Sequence, residues 1–177
     1  IALIRGEVIV QSAPLTRKAA PMNFLGFCST LIATFFLAQS AMACNTPANV
    51  NAMATEIASG LNAHRAANGR GALVYNARLG QAAMSHACDM SRNGFFGHVG
   101  SNGSNIQQRV RSSGYRDCTV AENLAWGYPR SSQIINGWIG SPKHRQNMLH
   151  PRVAEFGIGI TQGPKGPNWV LVLARSC

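Results

Sequence analysis

Three short blocks constrain this chain more than any other feature. They are Phe95-Phe96-Gly97-His98, Ala121-Glu122-Asn123-Leu124-Ala125 and Ser141-Pro142-Lys143-His144-Arg145-Gln146-Asn147-Met148-Leu149. A fourth, Phe156-Gly157-Ile158-Gly159-Ile160, closes the pattern. The two histidines and the glutamate lie between positions 98 and 144, too far apart to meet on one helix or hairpin. Only a tertiary fold can bring them together. The chain holds six Asp+Glu in 177 residues. A glutamate inside an apolar stretch of such a chain needs a reason to be there.

The first 43 residues read as targeting rather than fold. Phe24 to Leu37 is mostly apolar, Arg17 and Lys18 give a basic flank, and Ala41-Met42-Ala43 is a small-x-small cleavage site before Cys44. Residues 22–43 are expected to be a signal peptide and 1–21 an upstream or n-region extension, with the start left open. The apolar stretch is short of the ~20 residues a membrane span needs, so no transmembrane segment is expected after cleavage. The thiol of Cys44 could alternatively be lipidated. The expected location is secreted, extracellular or periplasmic.

After the expected cleavage site four of the five cysteines remain, Cys44, Cys88, Cys118 and Cys177, and an even count behind a signal peptide reads as two disulfides. Four cysteines allow three pairings. Joining Cys44 to Cys177 would pin the two ends and leave Cys88 with Cys118. Their spacing lacks the CxxC pattern of a zinc–thiolate site. Lys+Arg outnumber Asp+Glu by 16 to 6, a formal charge of +10. Such a surface attracts anionic polymers or lipid headgroups. The arginines are scattered without interleaved aromatics or a reader motif, so no specific nucleic-acid partner is expected.

Periodicity gives helices first and a small sheet last. Thr46-Pro47 is placed to open a helix carrying Val50, Met53, Ile57 and Leu61 on one stripe, stopped by Asn68-Gly69. A second helix starts near Asn76 and ends at Asn93-Gly94, which leaves His98 in the following loop. Ile106 to Arg111 reads as a short helix. Part of Thr119 to Gly127 reads as strand, with Glu122 near a sheet face. Ser132 to Trp138 is a helix candidate, and Ser141-Pro142 caps another, with the Ser141 side chain accepting from the His144 N–H. Val153–Thr161 and Asn168–Arg175 look like two strands joined by a Gly/Pro turn. The order suggests an α+β fold.

His98, Glu122 and His144 suit a mononuclear metal site, since two imidazoles and a carboxylate can hold zinc or another divalent cation with an open position. Glu122 could instead be a general base. His64 and His86 lie on apolar helix faces and read as core histidines. Asp89 reads as a local structural partner, Trp126 and Trp138 as core, and Glu155 as a surface charge. Arg145 and Asn147 follow His144 and, with Ser141, are candidates to line a cleft.

These blocks resemble the CAP superfamily of cysteine-rich secretory, antigen 5 and pathogenesis-related-1 proteins, in a compact bacterial form. Leu61-Asn62-Ala63-His64-Arg65 and His86-Ala87-Cys88-Asp89-Met90 resemble its first two helix motifs. Phe96-Gly97-His98, Ala121-Glu122-Asn123, Trp138-Ile139-Gly140-Ser141-Pro142-Lys143-His144-Arg145 and Phe156-Gly157-Ile158-Gly159 resemble the rest, in order. The resemblance implies one domain over 44–177: a three-layer α-β-α sandwich around a central antiparallel sheet. It implies a cleft tetrad of two His and two Glu, of which His98, Glu122 and His144 match three. Ser141 stands where the second Glu is expected, which should weaken metal binding, and Ala121 replaces the usual glycine. The implied function is a secreted, monomeric binding module for a lipid, a sterol or an anionic envelope polymer. The alternative is a metal-dependent hydrolase using Glu122 as general base.

Overall fold

A computed structural model describes residues 44–177. The expected leader and its cleavage site lie outside the described residues. The first helix, α1, runs Val50–Ala67. It starts later than Thr46-Pro47 suggests. Pro47 instead closes a turn, its carbonyl accepting from Val50 N–H, and Asn49 takes the cap position without a side-chain bond.

Strand β1 is only Val74–Tyr75, and α2 follows over Ala77–Asn93. Asn76 caps α2 as expected, accepting from the Arg78 and Leu79 N–H groups. Gly94 ends it in the left-handed region at φ 66°, where a Cβ would be strained. Helix α3, Ile106–Ser112, has a reciprocal capping box between Asn105 and Gln108. Strand β2 is Asp117–Trp126, and α4 is Ser131–Gly140. Helix α5 is Pro142–Met148, with proline in its first turn. Ser141 sits at its cap position, but its side chain makes no cap bond; only its carbonyl, accepting from Arg145 N–H, starts the helix. Strands β3, Glu155–Gly163, and β4, Gly166–Ser176, form a hairpin tighter than the composition suggests. Only Pro164 and Lys165 remain between them, because Gly166 takes φ 103°.

The sheet order is β1-β3-β4-β2. β4 pairs antiparallel with both β3 and β2. The expected antiparallel sheet therefore carries one departure: β1 pairs with β3 in parallel at the edge. Two residues after a helix stop carry no strand period of their own. Their pairing is imposed by β3.

Alternation along β4 builds two cores. Trp169, Leu171 and Leu173 face α1 and α4, packing with Ile57, Leu61, Ile134 and Trp138. Val170, Val172 and Ala174 face α2 and α3, packing with Leu79, Ala83, Met90 and Val110. That is the expected three-layer α-β-α sandwich. In β3 the large residues Phe156 and Ile160 join the first core. Gly157 and Gly159 face α2, where an added Cβ would run into the backbone of Leu79 and of Ala83. The fourth block is thus a smooth track on which α2 lies directly against the sheet.

The disulfides join Cys44 to Cys88 and Cys118 to Cys177. This corrects the pairing that pins one end to the other. Asn45 carbonyl accepts from Gln162 N–H, so the start of the described residues lies beside the hairpin end of β3. Asp117 pairs with Ser176 at the opposite end of β4. The ends are separated by the length of β3, roughly 24 Å at about 3.4 Å per residue. A disulfide needs Cα atoms within about 7 Å.

Candidate functional site

Glu122 lies on β2, an edge strand of the sheet, with Leu124 on the face toward α3. Its side chain is 2% exposed. A buried carboxylate must be paired or it shifts toward neutrality. Its main partner is Arg109 of α3, itself only 7% exposed, whose Nη2 donates to Oε2 at 2.8 Å and to Oε1 at 3.1 Å. Arg109 Nη1 donates to the Ser104 carbonyl at 2.8 Å, which ties α3 to the preceding loop.

His98 comes to the same carboxylate from the loop after α2. Its Nδ1–H donates to Glu122 Oε1 at 2.8 Å, on a ring whose side chain is 60% exposed. The bond to Glu122 raises its pKa above the ordinary histidine range despite some burial. His86 underlies the loop: Nε2–H donates to the Gly97 carbonyl at 2.8 Å and lies 4.0 Å from Glu122 Oε1. Burial lowers its pKa, against the pull of Glu122. Asp89 anchors the next turn by accepting from Ser101 N–H at 2.8 Å and from Asn93.

His144 belongs to α5, on the other side of β2. Asn123, which alternates with Glu122, donates from Nδ2 to the His144 carbonyl at 3.0 Å. Asn147 Nδ2 donates to Asn123 Oδ1 at 2.9 Å and to the Glu122 carbonyl at 3.2 Å. Burial first, then the nearby charge of His98, lowers the His144 pKa. His98 thus belongs to the loop on the α2 side of β2 and His144 to α5 on the other, and the charge of His98 is felt at His144.

The three expected site residues are therefore arranged unequally. His98 and Glu122 are bonded, and His144 makes no hydrogen bond to either among the described residues. Among the described residues, no group of three His, Cys, Asp or Glu side chains is placed to cage a metal. Both oxygens of Glu122 already accept hydrogen bonds from Arg109 and His98. A divalent cation would have His98 Nε2 and the His144 imidazole as the nitrogens left to meet it, with Glu122 as the carboxylate that orients His98 through its other nitrogen. Ser141 and His144 border one small cavity with Tyr128 and Trp138. Asn147 tightens the strand and helix beneath it. Arg145 is exposed and donates to the Ile139 carbonyl at 3.3 Å, away from Glu122.

Several residues depart from expectation. His86 is buried as expected, but its Nδ1 has no partner among the described residues. Trp138 is core, with Nε1 donating to the Leu124 carbonyl. Trp126 is not core: it is 44% exposed, with Phe96 at 6.1 Å between centroids and Lys165 Nζ 5.6 Å from its ring. Glu155 is not a free surface charge. It accepts from Asn76 Nδ2 at 2.7 Å and from the Tyr115 hydroxyl. Sequence reasoning misses Arg109 entirely. The signal for it is indirect: a buried glutamate in a basic chain requires a cation, and α3 supplies the nearest arginine in sequence that faces inward.

The profile described as CAP, Cysteine-rich secretory protein family, matches residues 59–173. Two uncharacterized proteins of Bacillus subtilis are similar in sequence. YkwD is 26% identical over 125 residues, covering 71% of this chain and 48% of that protein. The membrane protein YlbC is 25% identical over 109 residues, covering 62% and 32%. The chain thus spans about half the length of these relatives or less. In structure it is similar to an outer surface protein of Borrelia burgdorferi, with a TM-score of 0.69, 16% identity and coverage of 76% of this chain and 100% of that one. It is also similar to an extracellular protein of Bacillus anthracis containing a SCP domain, with a TM-score of 0.66, 21% identity and coverage of 71% and 41%. With the profile spanning most of the chain, and the fold shared, this protein belongs to the CAP, or cysteine-rich secretory protein, family.

Proposed function

We propose that this is a secreted binding protein whose cleft takes a divalent cation at His98 and His144 beside a lipid-facing aromatic rim. The observation that carries the reading is the fixed order Arg109–Glu122–His98. The guanidinium pins the carboxylate, the carboxylate pins Nδ1–H, and Nε2 is left to a ligand. A bound cation would supply a local positive charge and a Lewis acid at the cleft mouth. The two disulfides suit an oxidising compartment. Among the described residues no helix is long and apolar enough to cross a membrane.

An exposed aromatic rim supports the proposed class of partner. Phe96, Val99, Trp126 and Tyr128 are large apolar side chains left exposed, and Lys165 stands over Trp126. Aromatic rings and a cation side by side suit the interface of an anionic lipid surface. The alternative role of Glu122 as a general base gains no support, because both its oxygens are already occupied by donors.

Zinc titration of the full chain by calorimetry tests the cation site. One-to-one binding is expected. His98→Ala and His144→Ala should abolish it, and Glu122→Gln should weaken it roughly 10- to 100-fold, as loss of an orienting partner does. Failure of the wild type to bind, or binding unchanged in either alanine variant, overturns the proposal. Metal binding requires neutral imidazoles. Because the His98 pKa is raised, affinity should begin to fall above the ordinary histidine value of about 6.5 as the solution is acidified. A flat profile would exclude His98 as a ligand. Vesicle binding tests the rim: Trp126→Ala should weaken attachment to anionic vesicles, and equal binding to a soluble anionic polymer would assign the rim to that partner instead.

A further inference from the structure

Three exposed arginines gather around the turn that leads from α3 into β2, apart from His98, Glu122 and His144. Arg111 of α3 and Arg116 of the turn border one cavity of about 320 Å³, together with Gly114, Asp117 and Cys177. That volume is at the small end of ligand sites, roughly 300–1,000 Å³. Arg78, at the start of α2, reaches the same turn: its Nη1 donates to the Gly114 carbonyl at 2.8 Å. Gly114 takes φ 81°, and a Cβ built there would lie 3.8 Å from Arg78 Nε, so the arginine runs over a bare glycine. The turn itself is held in place. Cys177 N–H donates to the Arg116 carbonyl at 3.0 Å, and Cys177 is joined to Cys118 of β2.

The bonds already made leave most of the guanidinium N–H groups free. Arg111 gives Nε–H to Asp117 Oδ1 at 2.9 Å and keeps both Nη groups, on a side chain that is 65% exposed. Arg78 keeps Nε and Nη2. Arg116 is exposed, and its side chain makes no hydrogen bond among the described residues. Asp117 is only 2% exposed and is engaged by Arg111, so it offsets one charge without presenting itself to a ligand. Glu155 stands at the tip of the buried Tyr115 ring and accepts from neutral donors, Asn76 and the Tyr115 hydroxyl. Three cations against one paired carboxylate leave two positive charges unmatched around the cavity. A carboxylate brings one charge and two oxygens. A phosphate monoester brings about 1.5 to 2 negative charges and three acceptor oxygens, which suits several guanidinium forks at once. The turn is also remote from the aromatic rim. β2 runs from Asp117 to Trp126, which sets them roughly 30 Å apart at about 3.4 Å per residue. A headgroup held at Trp126 does not reach the arginines.

We propose that the turn between α3 and β2 is an anion site for a phosphate monoester, held by Arg78, Arg111 and Arg116. Backbone-amide NMR of the full chain tests it, with inorganic phosphate, glucose 6-phosphate and acetate titrated at constant ionic strength. Saturable shifts at the Gly114 and Arg116 amides are expected with both phosphates and not with acetate. Affinity for glucose 6-phosphate should fall about tenfold from about pH 7.5 to about pH 5, because the second phosphate pKa is near 6 while arginine keeps its charge. Arg78→Gln/Arg116→Gln removes two exposed guanidiniums without orphaning Asp117. It should weaken phosphate binding roughly tenfold or more and leave zinc binding at His98 and His144 unchanged. Arg130→Gln, an exposed arginine at the cap of α4, should leave phosphate binding as it is. Absence of saturable shifts, acetate matching the phosphates, binding of inorganic phosphate alone, or affinity intact in the double variant each overturns the proposal.

Discussion

The Arg109–Glu122 pair shows how one buried charge organises a site. Glu122 is acceptable inside the protein because a guanidinium meets both its oxygens; in return it fixes the ring of His98. Removing Arg109 leaves that carboxylate buried without its cation. Arg109→Met should therefore destabilise the fold by about 3–5 kcal/mol, measured by denaturant unfolding. A cost below ~1 kcal/mol would mean that the pair is held mostly by solvent, as surface pairs are. The double variant Arg109→Met/Glu122→Gln should recover part of the loss, since it removes the orphaned charge as well. At this scale the sequence is legible where a residue type announces its own chemistry. His98, Glu122 and His144 stand out because each lies in a distinctive block and the chain holds only six acids. Arg109 does not, because it is one of many scattered arginines and only burial distinguishes it. Trp126 misleads for the opposite reason: aromatic residues are usually core, and nothing local tells that this one ends its strand in solvent beside Phe96.

At the scale of elements, the contact between α2 and β3 decides how the site is held. α2 ends at Gly94 and delivers the His98 loop, while β3 fixes where α2 lies. Gly157 and Gly159 permit this because the helix backbone occupies the space a Cβ would take. The neighbour there is backbone rather than the tip of a flexible side chain, so it cannot move aside without shifting the helix. Gly157→Ala should then cost about 1–3 kcal/mol or more by overpacking. It should also perturb His98 amide and ring resonances, although position 157 touches no site residue. An alanine accepted with unchanged stability and spectra would place α2 further from the sheet. Elements with strong local signals are readable: the Asn76 cap, the Gly94 stop and the alternation of β4. Ser141 and β1 are not. A Ser-Pro pair fits a side-chain cap by composition, but the backbone at Ser141 starts α5 through its carbonyl alone. β1 exists only because β3 offers it an edge, a relation no local period encodes.

For the whole molecule, the disulfides act as two separate clamps rather than one closure of the chain. Cys44–Cys88 ties the segment before α1 to α2, and Cys118–Cys177 ties the start of β2 to the end of β4. Their number can be read from the four cysteines that follow the expected leader but their partners cannot, because pairing depends on which end of the β3–β4 hairpin each cysteine reaches. Both clamps lie next to the elements that carry the site. Cys88 shares α2 with His86, and Cys118 precedes Glu122 on β2. The closed loops span 44 and 59 residues. Loop entropy alone then assigns each about 4 kcal/mol. Non-reducing peptide mapping should recover Cys44 with Cys88 and Cys118 with Cys177; any fragment joining Cys44 to Cys177 would contradict the fold. The two clamps should also differ in what they protect. Cys44→Ala/Cys88→Ala should lower stability while leaving the β2–β4 register intact, so zinc binding at His98 and His144 persists in the molecules that remain folded. Cys118→Ala/Cys177→Ala frees the edge strand that holds Glu122 and should weaken zinc binding in the folded state as well as stability. Equal losses of zinc affinity in both variants would mean that the site follows global stability alone and that the edge clamp has no local role.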